Sequence, residues 1–304
     1  MHFARAAPHP EAMATLSPVL DPPPVPDPGN VHGHVVDQLI AERAPKMAGS
    51  VAWPLLRPIL YRLLDYRKAR GMADTIAPMS GQDALDYVSD LLALQVAAEG
   101  LERIPRAGAI VTVSNHPTGI ADGVAVYDAL KTVRRDLVFY ANADANRVVP
   151  RFGDVLIPVE LNAAKRSREA TRVTLQMTNQ TLQAGKALVT FPSGRLARVR
   201  DKVMTDDPWQ PTPVSLARKF SAPLIPIHVA GPWSSLFHFF DRFSGELRDI
   251  TLFHELLNKR GQAFCLVVGE PIDAEAIPGD PAEAVKALKA YVEFELPKGR
   301  LHFP

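Results

Sequence analysis

The chain has 304 residues, 47% apolar and 22% charged, and its 34 Lys and Arg balance 33 Asp and Glu to a formal charge of +1. That composition excludes a disordered or fibrous chain and offers no global electrostatic grip on nucleic acid, while the length suits one large domain with appendages. The single cysteine, Cys265, excludes an internal disulfide and a zinc site built from several thiolates, which fits a reducing cytoplasm.

Eight of the 28 prolines fall within residues 8–28, so residues 1–32 read as a proline-rich flexible arm. The start, MHFARAAPHPEAMATL, lacks the compact basic head and apolar centre of a secretory signal, and no stretch reaches the ~18 apolar residues of a spanning helix. Residues 33–80 change to a helical pattern: VVDQLIAERAPKM (35–47), then SVAWPLLRPILYRLLDYRKAR (50–70), bent or broken by Pro54 and Pro58. The second piece mixes Trp53, Leu55, Leu56, Ile59, Leu60, Leu63 and Leu64 with Arg57, Arg62, Arg67, Lys68 and Arg70. An apolar face with a basic flank suits the surface of an anionic membrane; the same pattern suits a helix packed on the main domain with its basic side in water.

Residues 81–304 alternate short apolar, β-branched runs with helical spacing. AIVTVSN (109–115), LVFYAN (137–142), VLIPVEL (155–161), ALVTF (187–191), PLIPIHVA (223–230) and FCLVVG (264–269) read as buried strands. Residues 119–133, 163–185, 212–220 and 245–260 read as helices, the second stopped by Gly185. This alternation predicts an α/β fold with a mainly parallel central sheet flanked by helices, whose sites open at the carboxyl ends of strands.

Chemistry-bearing residues stand at those ends. The first strand runs into SNHPTGIADG, so Asn115 and His116 leave it and Asp122 follows in the next helix or the turn before it. A carboxylate on one imidazole nitrogen sets the tautomer and presents the other nitrogen as a general base. The plainer alternative is a polar strand end in which Asn115, His116 and Thr118 satisfy turn hydrogen bonds. The strand ALVTF runs into FPSGRLAR, which brings Arg195 and Arg198 to the neighbouring loop, either as anion-binding forks or as ordinary surface arginines. The strand PLIPIHVA ends in Gly-Pro before Trp233. Cys265 reads as a small core side chain, and His228, His238 and His254 lack the spacing of a metal site, so no metal is assigned. No G-x-G-x-x-G, G-x-x-x-x-G-K-[ST] or G-x-S-x-G motif occurs.

Taken in order, N-H-P-x-G-x-x-D-G, a basic segment before VLIPVE, F-P-x-G-R and P-I-x-V-x-G-P resemble the glycerolipid acyltransferase superfamily over about residues 93–274. The resemblance implies transfer of a fatty acyl group from acyl-CoA or acyl carrier protein to a hydroxyl of a lysophospholipid such as 1-acylglycerol-3-phosphate, with no cofactor. It implies His116 as general base oriented by Asp122, an oxyanion held by backbone N–H groups around residues 117–119 or at the following helix start, and acceptor binding by Asn115, Gly119, Arg151, Ser193, Gly194, Arg195 and Arg198. In the second block Arg147, Arg151 and the run KRSR (165–168) all qualify, and Arg151 is preferred. Pro226 matches the strand that shapes the acyl or acceptor pocket.

Two departures stand out. The family's His-to-Asp spacing is one residue shorter, and a positive φ at Gly119 would absorb the extra residue. The family's glutamate after Phe-Pro is Ser193 here, which motivates an alternative to the lysophospholipid, a lyso-aminolipid or other acceptor without phosphate. A further alternative is a lipid-binding protein without catalysis. With residues 51–70 as a docking element, the expectation is a peripheral enzyme on the cytoplasmic face of an anionic membrane.

Overall fold

The structure is a computed structural model that describes residues 33–160, 167–200 and 203–304; the proline-rich arm and residues 165–166 of the basic run lie outside them. Helices α1 (Val35–Arg43), α2 (Pro45–Ala48), α3 (Trp53–Leu63), α4 (Tyr66–Ile76) and α5 (Gly81–Leu92) lead into β1 (Gln95–Glu99). Then follow β2 (Ile110–Ser114), α6 (Ile120–Leu130), β3 (Leu137–Asn142), α7 (Ala145–Val148), β4 (Leu156–Val159), α8 (Arg168–Gln183) and β5 (Ala187–Thr190). The chain continues through β6 (Arg198–Arg200), β7 (Val203–Thr205), α9 (Thr212–Phe220), β8 (Leu224–Ala230), α10 (Ser235–Asp241), α11 (Gly245–Asp249), α12 (Leu252–Leu257), β9 (Ala263–Val268) and α13 (Pro281–Ala290).

Seven strands form one sheet in the order β1-β9-β8-β2-β5-β3-β4, and β6 and β7 pair as a separate antiparallel ribbon. The strands β8, β2, β5, β3 and β4 are mutually parallel; β9 is antiparallel to β8 and parallel to β1, so these two run against the rest. Every residue of β2 and β5 is buried, because alternate side chains enter cores on opposite faces. Leu137, Phe139, Ile225 and Ile227 meet α1, α4, α5 and α6 on one face. Val111, Val113, Val138 and Leu188 meet α9 and α13 on the other. Gly185 stops α8 as the sequence predicts: at φ +72° it donates its N–H to the Leu182 carbonyl.

The segment before the sheet divides its apolar residues between two destinations. Val36, Leu39 and Ile40 of α1, and Ala69, Met72, Ala73 and Ile76 of α4, share the main core. No residue of α3 is buried; Trp53, Leu60 and Tyr61 turn toward the core, while Leu55, Leu56, Ile59 and Leu63 face solvent, Leu55 at 78% exposure. The carboxylate of Asp37 accepts hydrogen bonds from Tyr61 of α3 and Tyr66 of α4, both at 2.6 Å, which fixes both helices to α1. Among the described residues no helix is long and apolar enough to cross a membrane.

Candidate active site

At the carboxyl end of β2 the chain turns sharply, and Gly119 makes that turn at φ +89°. A Cβ there would also meet Leu196 at 3.0–3.2 Å, so glycine serves both the backbone and the close approach of the β5 loop. The turn places Asp122 in the first turn of α6, fully buried. Its carboxylate collects the His116 Nδ1 at 3.0 Å, the Thr118 N–H at 2.8 Å, the Gly119 N–H at 3.0 Å and the Thr118 hydroxyl at 2.5 Å. A carboxylate with so many donors needs no second cation, and the positive end of α6 adds to its stabilisation. With Nδ1 held by Asp122, the proton of the neutral imidazole sits there and Nε2 keeps its lone pair.

The same bonds narrow one expectation. Of the two places the resemblance implies for the oxyanion donors, residues 117–119 or the following helix start, the N–H groups of Thr118 and Gly119 are both committed to Asp122.

The loop after β5 packs directly on this turn. Phe191 stacks on the His116 ring at 4.5 Å, and the Ala197 N–H donates to the His116 carbonyl at 2.8 Å. Ser193 is buried and donates its hydroxyl to the Arg195 carbonyl at 2.8 Å, and the Gly194 N–H bonds the Phe191 carbonyl, so the Ser-Gly pair shapes its own loop. Arg195 is exposed. Arg198, at the start of β6, is half-buried, and its Nε is buried without a hydrogen-bond partner among the described residues. Asn115 spends its amide on β8, donating to the Val229 carbonyl at 2.9 Å and accepting the Val229 N–H at 2.7 Å, which prolongs the β2–β8 pairing past the strand end. Pro226 stands in β8 opposite Val113, as a strand residue.

The second-block arginines fall elsewhere. Arg151 is exposed and caps the short turn Phe152–Asp154 ahead of the amino end of β4, whereas His116 and FPSGRLAR leave carboxyl ends; the structure does not bring it together with them. Arg147 bonds Glu42 at 2.9 Å and Gln38 at 3.1 Å, tying α7 to α1. Arg168 opens α8 and is exposed. Cys265 corrects another expectation: it is exposed, because β9 buries only Phe264, Leu266 and Val268 against the core and turns Ala263 and Cys265 outward. His228 donates from Nδ1 to the Val292 carbonyl, and His254 meets Asp65 at 3.1 Å.

Sequence reasoning missed Asp206. This buried carboxylate accepts the His116 backbone N–H at 3.2 Å on one oxygen and the Trp209 indole N–H at 2.8 Å on the other. Its own N–H donates to Glu293, which also takes the Thr205 hydroxyl and the Lys289 ammonium. Burial pushes the Asp206 carboxyl up to about 7, against the lowering by the Trp209 hydrogen bond and the charge of His116; Glu293 adds to the rise. Asp206 lies in an irregular stretch ninety residues from His116 with no motif to mark it.

An acyltransferase family model matches residues 95–230, the span from β1 to the end of β8 that holds the His116 turn and the β5 loop. The lyso-glycine lipid O-acyltransferase of Bacteroides thetaiotaomicron is 23% identical over 264 residues, covering 83% of this chain and 95% of that protein. The protein of the same name from Phocaeicola vulgatus is 26% identical over 217 residues, covering 68% and 76%. A crystal structure of the 1-acyl-sn-glycerophosphate acyltransferase PlsC from Thermotoga maritima aligns over 82% of this chain and 97% of its own, at 14% identity and a TM-score of 0.46. The chain is an acyltransferase, similar over residues 95–230 to the acyltransferase family.

Proposed function

We propose that this enzyme moves a fatty acyl group from a thioester, acyl-CoA or acyl carrier protein, to a hydroxyl of a lysolipid drawn from a membrane. The observation that carries the reading is the 3.0 Å contact of His116 Nδ1 with a fully buried Asp122 inside the matched region. Nε2 takes the proton of the acceptor hydroxyl as that oxygen attacks the thioester carbonyl, and Asp122 stabilises the imidazolium that forms. The new ester forms as the C–S bond breaks, and the imidazolium returns its proton to the departing thiolate. With Thr118 and Gly119 committed to Asp122, the first-turn N–H groups of Ile120 and Ala121, which have no partner within α6, are left to hold the oxyanion.

The acceptor we infer is an amino-acid lysolipid. The two named relatives acylate a lyso-glycine lipid, and Ser193 stands where the phosphate-lipid pattern has an acid. A glycine joined through its nitrogen presents a carboxylate, which Arg195 and Arg198 can hold by paired hydrogen bonds as they would a phosphate. Acylation should be measured on a panel containing a lyso-glycine lipid and 1-acylglycerol-3-phosphate with both donors. The expected result is turnover at least tenfold faster with the lyso-glycine lipid; turnover confined to the phosphate lipid would return the acceptor to that class. Replacing Arg195 and Arg198 together by Gln should raise the KM for the acceptor about tenfold and change kcat less, the signature of lost head-group binding. An unchanged KM removes both arginines from the site.

Docking is assigned to α3, with Leu55, Leu56, Ile59 and Leu63 outward and Arg57 and Arg62 beside them. Leu55→Ser with Ile59→Ser should weaken binding to vesicles containing anionic lipid by about tenfold, most clearly at low salt. Equal binding by wild type and variant would place the docking surface elsewhere.

A further inference from the structure

The hairpin after β8 exposes a second apolar surface. Trp233, Phe239 and Phe243 are 49%, 55% and 71% exposed, and Phe239 packs edge-on against Phe240 and tilted against Phe243, with ring centroids 5.5 and 5.3 Å apart. Arg242 is exposed between them. The rings are held outward by a firm base. Glu255 of α12 accepts the Leu236 and Phe237 N–H groups at the start of α10 and pairs with Lys259 at 2.8 Å, both charges buried, while Lys259 also reaches the Trp233 carbonyl. Arg248 of α11 bonds Asp241 and Asp249, which closes the α10–α11 corner.

Both ends of this hairpin touch parts already assigned. At its root, Gly231 packs against Thr118, and the Ser234 hydroxyl donates to the Thr118 carbonyl at 3.4 Å, in the turn that holds Asp122. At its far end, Glu246 of α11 accepts the Lys46 and Met47 N–H groups at the start of α2, the short helix that leads to Val51 and α3. Val51 is 98% exposed. The hairpin thus stands between the His116 turn and the helix assigned to docking.

We propose that Trp233, Phe239 and Phe243, with Arg242, form a second contact with the surface of an anionic bilayer, beside the acyl-transfer site. The inference rests on the reading that the acceptor comes from a membrane and that α3 docks there. Aromatic rings interspersed with a cation match the layered chemistry of a bilayer interface, where rings sit at head-group depth and an arginine meets anionic phosphate. The neighbouring α3 carries the same combination, so the two patches suit one continuous partner. Two contacts fix the tilt of the enzyme on the membrane and turn the His116 turn toward the lipid, so that a lysolipid reaches it without crossing water.

The test compares wild type, Phe239→Ser with Phe243→Ser, and Leu55→Ser with Ile59→Ser, using vesicles of phosphatidylcholine with one quarter phosphatidylglycerol. Sedimentation gives affinity; acyl transfer is measured on a lyso-glycine lipid in the vesicles and on a short-chain one dissolved as monomer. The expected result for the Phe239 and Phe243 variant is about tenfold weaker vesicle binding, a similar fall in kcat/KM for the vesicle-borne acceptor, and an unchanged rate on the dissolved one. Wild-type affinity in that variant, alongside weakened binding by the α3 variant, overturns the second contact and leaves docking by α3 standing. Unchanged vesicle binding with dissociation of an oligomer overturns it in favour of a self-association face. A wild type that transfers acyl groups and ignores vesicles overturns both contacts and leaves the chemistry at His116 intact.

Discussion

His116→Ala is expected to lower acyl transfer by about 10³-fold or more while the fold and vesicle binding persist. A positioned base contributes about 10²–10⁴-fold, and this imidazole is the one group in the turn with both a fixed tautomer and an uncommitted nitrogen. The fold should survive because the ring spends its hydrogen bond on Asp122 and stacks on Phe191, whereas the backbone of His116 is held independently by Asp206 and Ala197. Asp122 differs in this respect. Its carboxylate accepts four donors, so Asp122→Asn should lose both activity and stability as an amide N–H is turned toward other donors. Steady-state rates on the preferred acceptor, with circular dichroism and vesicle sedimentation on the same samples, check both statements. A His116→Ala enzyme retaining more than about a tenth of wild-type rate would remove the histidine from catalysis.

The parts of this site that were legible in sequence are those written in local pattern. Five buried parallel strands announce themselves as apolar runs, because both of their faces meet a core. The turn from Asn115 to Asp122 and the loop from Phe191 to Arg198 follow such strands directly, so topology alone brings them side by side. What escaped is nonlocal or atypical. The strand β1 reads QVAAE, half polar and small, because it lies at the sheet edge with Gln95, Ala97 and Glu99 exposed. The reversal of β9 depends on the long excursion through α10–α12 and leaves no mark in FCLVVG, and nor does the exposure of Cys265, which depends on what covers that face of the sheet. The helix α3 was half legible: an apolar face with a basic flank fits a membrane surface and a helix packed on the domain alike, and only the fold shows that Trp53, Leu60 and Tyr61 turn to the core while Leu55 and Ile59 find none.

Asp206 is the clearest case of a residue that only three dimensions reveal, and its removal is the second large effect expected. Asp206→Ala would leave the His116 N–H and the Trp209 indole N–H buried without an acceptor, at about 1–3 kcal/mol each, so a loss of several kcal/mol in stability is expected along with at least tenfold in kcat. The turnover loss follows from position: the backbone of His116 is anchored to this carboxylate, and a small drift moves Nε2 from the acceptor hydroxyl. The pH dependence separates this role from ordinary packing. Burial holds the Asp206 carboxyl at about 7 in the folded protein, against 3.8 unfolded. Between those values the folded state binds more protons than the unfolded one, so this group makes stability fall as pH rises from about 4 to about 7, and the loss is complete above 7. Asp206→Asn keeps one acceptor oxygen and abolishes the titration. Urea unfolding of both proteins from pH 4.5 to pH 8 should therefore show the stability of the wild type, relative to Asp206→Asn, declining across that range. A difference that stays flat, or grows, would mean that Asp206 is already charged at pH 4.5 and that its hydrogen bonds to His116 and Trp209 outweigh its burial.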